Sequence, residues 1–501
     1  MEHDFRLLID GELVAAAEAI NVVNPATGRP FAKAPRADAA LLDQAVAAAK
    51  RAFPAWAARP VSERAAMIEQ LAARLESGAA EFAALLTSEQ GKPLNQAMNE
   101  VIACTYVLRA FRDMRVEPKL LREENGNRVF ERRSPLGVVA AITPWNFPLV
   151  LLMNKLGPAL ITGNTIIVKP APTTPLTTLL FGELCAAILP PGVVNIIVDA
   201  NDLGGALTAH PDVAKIAFTG STATGKKVMA SAAAMVKRVT LELGGNDAAI
   251  VMDDVDPALA AQKVFEGAMV NAGQVCVAIK RAYVPATMYD DFCDEIAALA
   301  RNAVVDDGAN QGAKIGPVQN LQQYEKLCDL LADAGRKGTV IAGGKPVDRD
   351  GYFIEPTIVR DLPDDARLVQ EEQFGPVLPV LSYHDIEDVI ARANASEYGL
   401  AGTVWGKDLA RATAVAERIH SGTVWVNQHM AIDPVIPFRG ARQSGPACPR
   451  LARRPRGHGH PRVLPVPRLD QGQPGLREAR SDPGGTRGGR SGGRHPRAGL
   501  G

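Results

Sequence analysis

The sequence predicts an α/β protein built on parallel, doubly wound sheets, and three observations carry that prediction. From Gly137 onward, short β-branched runs alternate with apolar segments of helix length. Each run is bounded by Gly, Pro, Asn or Thr, the residues that punctuate strands and turns. The chain has 501 residues, 47% hydrophobic and 22% charged, enough apolar material for two or three domains with a large core.

Taken in order, the N-terminal stretch MEHDFRLLIDGELVAAAEAINVVNPATG has no basic segment leading into an apolar run of signal-peptide length. No stretch of the chain approaches the roughly 18 apolar residues of a membrane span, so a cytoplasmic protein without a membrane partner is expected. From Ser62 to Val107, the spacing of Met67, Ile68, Leu71, Leu75, Phe82, Leu85 and Leu86 is helical. The runs GVVAAITPWNFP, NTIIVKPAPTTP, VVNIIV and KIAFTGS then read as strands, separated by helices such as Leu149 to Leu160 and Leu176 to Ile188. Ligands in such sheets bind beyond the carboxyl ends of the strands. A second set of strands, including AAIVMDD, RAYVPA, GYFIEPTIV, FGPVLPVLSY and GTVWVN, runs from near Gly244 to about Gly445 and predicts a second α/β domain.

The last 56 residues differ in kind. Pro446 to Gly501 hold 12 Arg, 3 acids, 12 Gly and 9 Pro, a formal charge of +9 that leaves residues 1–445 at −9. This composition cannot bury enough apolar surface to offset chain ordering, so the tail is read as disordered. It carries no aromatic platform or recognition motif, and no nucleic-acid partner is expected. Six scattered cysteines with no C-x-x-C pair suggest neither a disulfide framework nor a metal site.

Four motifs could carry chemistry. In KIAFTGSTATGKKV, a strand runs into Gly220 and a helix starts near Ser221, which suits an anion at the helix N-terminus. Lys227 stands where a nucleotide P-loop needs Ser or Thr after Lys226, so the P-loop reading is set aside. In VTLELGGN, Glu242 ends a strand and is either a partly buried general base or a solvated strand-end carboxylate. In TPWNFPL, Asn146 either caps the next helix or donates to an oxyanion. Cys276 follows NAGQV in a small and polar loop, whereas Cys104, Cys185, Cys293 and Cys328 lie in helical apolar patterns and read as core.

In combination, Asn146, Gly220, Glu242 and Cys276, with EEQFGP at Glu371 to Pro376 and PFRGARQSG at Pro437 to Gly445, closely resemble the NAD(P)-dependent aldehyde dehydrogenase superfamily over about residues 10 to 445. The resemblance implies a Rossmann-type cofactor domain over 1–115 and 135–243, an oligomerisation arm over 116–134 and a catalytic domain over 244–445. It implies that Cys276 is the nucleophile, Asn146 an oxyanion donor and Glu242 the base, with no metal. It further implies that Thr143, Trp145, Lys169, Gly220, Ser221, Gly225, Leu243, Glu372 and Phe374 line the cofactor site. NAD is the expected cofactor and NADP is also admissible, because Pro172 stands where many NAD-preferring members carry a ribose-binding Glu.

The substrate expected is an uncharged aliphatic or aromatic aldehyde in a pocket including Leu149, Met153 and Val275. Succinate-semialdehyde enzymes usually carry an Arg in the helix after WNFP and a second Cys past the nucleophile, where this chain has Asn154 and Ala278. That substrate class is the alternative, together with a non-catalytic cofactor-binding protein. The resemblance also implies a homodimer or homotetramer. Two departures bear on assembly: Arg439 replaces a usual Gly, and the tail replaces the usual closing strand, so a weakened oligomer is expected.

Overall fold

Four helices, Ala39–Ala58, Val61–Ser77, Ala79–Gln90 and Leu94–Arg112, open the molecule after two short hairpins in this computed structural model, which describes residues 3–445 and the backbone of Arg462–Val463. The helical pattern read over Ser62–Val107 is thus three helices. They break at Gly78 and at Gly91, whose left-handed φ of 96° ends one helix before Pro93 precedes the next. Apart from Arg462–Val463, the expectation of a disordered tail over 446–501 lies outside the described residues, as does Cys448.

A seven-stranded sheet has the order Arg238–Glu242, Val213–Thr219, Val138–Ile142, Thr165–Lys169, Val194–Ile196, Leu7–Ile9, Glu12–Val14. Its first five strands are parallel, and the central ones are buried throughout, as continuous β-branched runs require. The helices Pro148–Ile161 and Leu176–Ile188 connect them; the first buries Leu, Met and Ile side chains in the core and the second Leu and Phe.

The second, eight-stranded sheet has the order Thr339–Ala342, Thr357–Arg360, Val377–Tyr383, Ile279–Pro285, Asp247–Val251, Ala401–Trp405, Thr423–Val426, Arg462–Val463. All of its neighbours pair parallel except the first two strands. An antiparallel hairpin, Lys119–Glu124 with Asn127–Glu131, turns at Asn125 and Gly126, both with positive φ. Every residue of its two strands is exposed.

Candidate active site

Register sets the site. In the seven-stranded sheet Thr219 pairs with Glu242, Phe218 with Ile142, and Ile142 with Lys169. The strand ends are therefore level, and Thr143, Trp145, Asn146, Lys169, Gly220, Ser221 and Glu242 all emerge at the carboxyl edge where a parallel sheet holds its ligands.

Asn146 is buried and does not cap the next helix. Phe147 occupies the cap position, and the amides of Leu149 and Val150 donate instead to the Glu100 carboxylate at 3.1 and 3.2 Å. The Asn146 Nδ2 donates to the Gln274 carbonyl at 2.8 Å, which uses one of its two N–H bonds. Its other N–H is uncommitted among the described residues.

The Cys276 loop joins the helix Pro257–Met269 to the strand Ile279–Pro285 through Asn271, Ala272 and Gly273, three consecutive residues with left-handed φ of 52°, 53° and 68°. Two non-glycine residues in that region store backbone strain that the surroundings must hold. Gln274 supplies part of that hold: its Nε2 donates to the Asn271 carbonyl at 2.9 Å, and its Oε1 accepts from the Gln319 amide at 2.8 Å. Lys280 Nζ donates to the carbonyls of Val275 and Cys276, both at 2.8 Å. Cys276 is half-buried, and burial pushes its thiol up to about 12 against the opposing pull of Lys280. A neutral thiol at rest needs a base.

Glu242 is not a solvated strand end. Its Oε2 is buried without a partner among the described residues, and burial raises the carboxyl to about 7 while Lys155 pulls it down. Lys155 is itself buried, donates to Thr219 Oγ1 at 2.5 Å, and is lowered to about 8 by burial. The Glu242 and Cys276 loops meet closely. A Cβ at Gly245 would strike the Cys276 backbone carbonyl, so that position requires glycine, and one at Gly244 would displace the Glu372 carboxylate.

Beside them lies a cleft of about 570 Å³ lined by Ser221, Thr222, Lys326, Glu371, Glu372 and Tyr398. Ser221 caps the helix Thr222–Ala233, accepting from the Thr224 amide at 3.3 Å, so the helix N-terminus opens on the cleft. Gly225 lies on Leu243, where any Cβ would collide with the leucine methyls. The Glu372 carboxylate accepts from the Gly245 amide at 3.0 Å, and the Trp145 and Phe374 rings meet edge to face at 5.3 Å. Thr143 Oγ1 is buried with no partner among the described residues. A helix N-terminus, a backbone cradle without side chains and an orphaned hydroxyl fit a dinucleotide phosphate and ribose. Lys169 is buried and paired with the buried Asp199 at 2.6 Å.

One expectation fails. Leu149 and Met153 are fully enclosed in the core of the first sheet rather than lining a pocket. The helix turns every 3.6 residues, so its core face takes Leu149, Leu152, Met153 and Leu156, while Val150, Leu151 and Asn154 are on the more open side. Val275 is also buried, in an apolar cluster against which Phe147, Val270, Cys276, Met430 and Phe438 pack. Sequence reasoning missed Lys92, Glu100, Lys155, Asp199 and Lys280. Only Lys155 left a signal, a lysine inside the apolar face of LLMNKLGP. Among the described residues no group of three or more His, Cys, Asp or Glu could hold a metal, and no helix is long and apolar enough to cross a membrane.

Known proteins resemble the chain over most of its length. The model of the aldehyde dehydrogenase family matches residues 13–449. The NADP(+) succinate-semialdehyde dehydrogenase GabD of Escherichia coli is 39% identical, over 87% of this chain and 92% of its own. The glutarate-semialdehyde dehydrogenase of Pseudomonas aeruginosa is 38% identical over 87% of this chain and 92% of its own. A solved NAD+ complex of the Bacillus cereus aldehyde dehydrogenase superposes with a TM-score of 0.86 at 37% identity, covering 88% of this chain and 92% of that one.

Proposed function

Because the chain belongs to the aldehyde dehydrogenase family, we propose that it oxidises an uncharged aldehyde to the carboxylic acid, with NAD as the preferred hydride acceptor and a thioester on Cys276. The observation that carries this reading is the meeting of three loops at one sheet edge. The Glu242 loop touches the Cys276 carbonyl at Gly245, and Asn146 is bonded to Gln274, two residues before the thiol.

The Cys276 sulfur attacks the aldehyde carbon as its proton passes to Glu242. The oxygen that gains charge accepts from the free N–H of Asn146 and the Cys276 amide. NAD bound in the cleft would supply the hydride acceptor that converting the thiohemiacetal to the thioester requires. Once Glu242 has released the thiol proton to solvent, its carboxylate takes a proton from water, the hydroxyl adds to the thioester carbon, and the Cys276 thiolate leaves to release the acid. Ser221 and the amides after it would hold the pyrophosphate, and Glu372 with Phe374 the nicotinamide end.

One feature favours NAD over NADP: Asp199 neutralises the buried Lys169, while Pro172 brings neither a ribose-binding carboxylate for NAD nor a cation for a 2′-phosphate. The substrate reading is supported by the apolar cluster in which Cys276 packs with Phe147, Val270, Val275, Met430 and Phe438. The semialdehyde relatives favour a second reading, a substrate with a distal carboxylate. The test is formation of reduced nicotinamide from NAD and NADP with straight-chain, aromatic and succinic aldehydes, for the protein and its Cys276→Ala variant. Thiol-dependent turnover of apolar aldehydes with NAD is expected. Faster turnover of succinic semialdehyde would replace the substrate reading, and no turnover beyond that of Cys276→Ala would overturn the catalytic one.

A further inference from the structure

Lys92 and Glu100 lie outside the reacting groups, yet they are the most completely buried ion pair near them. Both side chains are wholly inaccessible, and Lys92 Nζ donates to Glu100 Oε2 at 2.5 Å. Burying two charges this way is costly unless each finds further partners, and each does so at the Asn146 segment. The same Nζ donates to the Asn146 backbone carbonyl at 2.9 Å and stands 3.7 Å from the centre of the Phe147 ring. The other Glu100 oxygen, Oε1, takes the amides of Leu149 and Val150. The pair therefore grips the turn from both sides, by the Asn146 carbonyl before Phe147 and by the helix amides of Leu149 and Val150 after it.

The grip extends to the nucleophile. Asn271 Nδ2 donates to that same Asn146 carbonyl at 3.0 Å, and the Asn146 side chain returns the connection by donating to the Gln274 carbonyl. Lys92 is in turn held by the second half of the chain: the adjoining Leu94 amide donates to the Gly308 carbonyl at 2.9 Å, and a Cβ at Gly308 would strike the Lys92 backbone. One cation thus fixes the height of the Asn146 peptide relative to the Cys276 loop.

We propose that Lys92 and Glu100 are positioning residues that set the Asn146 carboxamide at its distance from the Cys276 sulfur, and so act on the transition state through Asn146. The proposal rests on the catalytic reading above. Preorganised donors lose their effect when displaced by about 1 Å, on the order of 100-fold in rate. Removing one partner alone would strand a buried charge, so the test removes both charges with near-isosteres, Lys92→Met with Glu100→Gln.

Steady-state kinetics are compared for the wild type, this double variant, Asn146→Ala and the triple combination, with melting temperature recorded for each. The double variant is expected to lose about 10- to 100-fold in kcat with KM within about threefold. In the Asn146→Ala background, where the positioned group is gone, the same two changes are expected to cost less than about threefold, a coupling that a merely structural role does not produce. Unchanged kcat in the double variant, or losses that multiply in full in the triple, overturns the proposal. Lys92→Arg keeps the charge but cannot set one nitrogen on both acceptors; it gives the same readout if the double variant melts below the assay temperature. A wild type with no thiol-dependent turnover would instead count against the catalytic reading itself, which separates the two failures.

Discussion

Glu242 and Lys155 constrain each other at the residue scale, since burial lifts the carboxyl to about 7 and lowers the ammonium to about 8 while each opposes the shift of the other. A base works only when ionised, so turnover is expected to rise with pH through about 7. Lys155→Met removes the cation that holds the Glu242 value down, so the midpoint moves to higher pH: activity at pH 7 falls by several-fold and returns at higher pH. A kcat profile over pH 6 to 9 checks this, and an unmoved midpoint would refute it. Cys276 was legible as an accessible thiol in a small polar loop, whereas the strand end at Glu242 and the turn at Asn146 each left two readings open, and their proposed roles came only from the motifs taken together. Lys92 and Lys155 were not. Lys92 reaches Asn146 across 54 residues of sequence and Lys155 reaches Thr219 across 64, and only the fold brings them together.

Two helices carry the same device at the scale of elements. Neither Pro148–Ile161 nor Leu176–Ile188 has a side-chain cap of its own, and each takes a buried glutamate from an earlier helix. Glu100 caps the first; Glu89 caps the second, accepting from the Leu176 amide at 2.7 Å and from the Thr177 amide at 3.0 Å. The helices themselves could be read from apolar spacing, but their capping could not, because no local Ser, Thr or Asp supplies it. Glu89→Ala would leave two buried amides and the Thr177 hydroxyl without an acceptor, a loss of about 3 kcal/mol. Urea denaturation followed by circular dichroism measures it, and a change below about 0.5 kcal/mol would refute the capping role. The helix Thr222–Ala233 offers a companion case. Gly225→Ala drives a methyl into Leu243 and should lift the helix N-terminus from the cleft, weakening NAD binding by about tenfold, or about 1.4 kcal/mol, in a calorimetric titration at unchanged melting temperature.

For the whole molecule, the two alternating strand-and-helix sets in the sequence correspond to two largely parallel sheets whose strands come mainly from successive halves of the chain. What assembles those sheets into a larger particle is a different matter, and the exposed hairpin poses it. Its strands present Leu120, Leu121, Val129 and Phe130 to solvent together, each at least 40% exposed. A two-stranded ribbon is marginal by itself and its edges invite pairing, and family resemblance implies that a closing strand from a neighbour covers it. After Gly445 this sequence is instead rich in Arg, Gly and Pro, and +9 of formal charge there faces −9 on the remainder. That composition is not the closing strand the resemblance implies, so the hairpin is expected to lack its covering partner. Sedimentation velocity at micromolar concentration is therefore expected to find species smaller than a tetramer, and Leu121→Ser with Phe130→Ser is expected to leave the sedimentation coefficient unchanged while slowing aggregation. A stable tetramer that this pair of substitutions splits would mean that the hairpin is already buried against a neighbour, and the expectation of weakened assembly would fall.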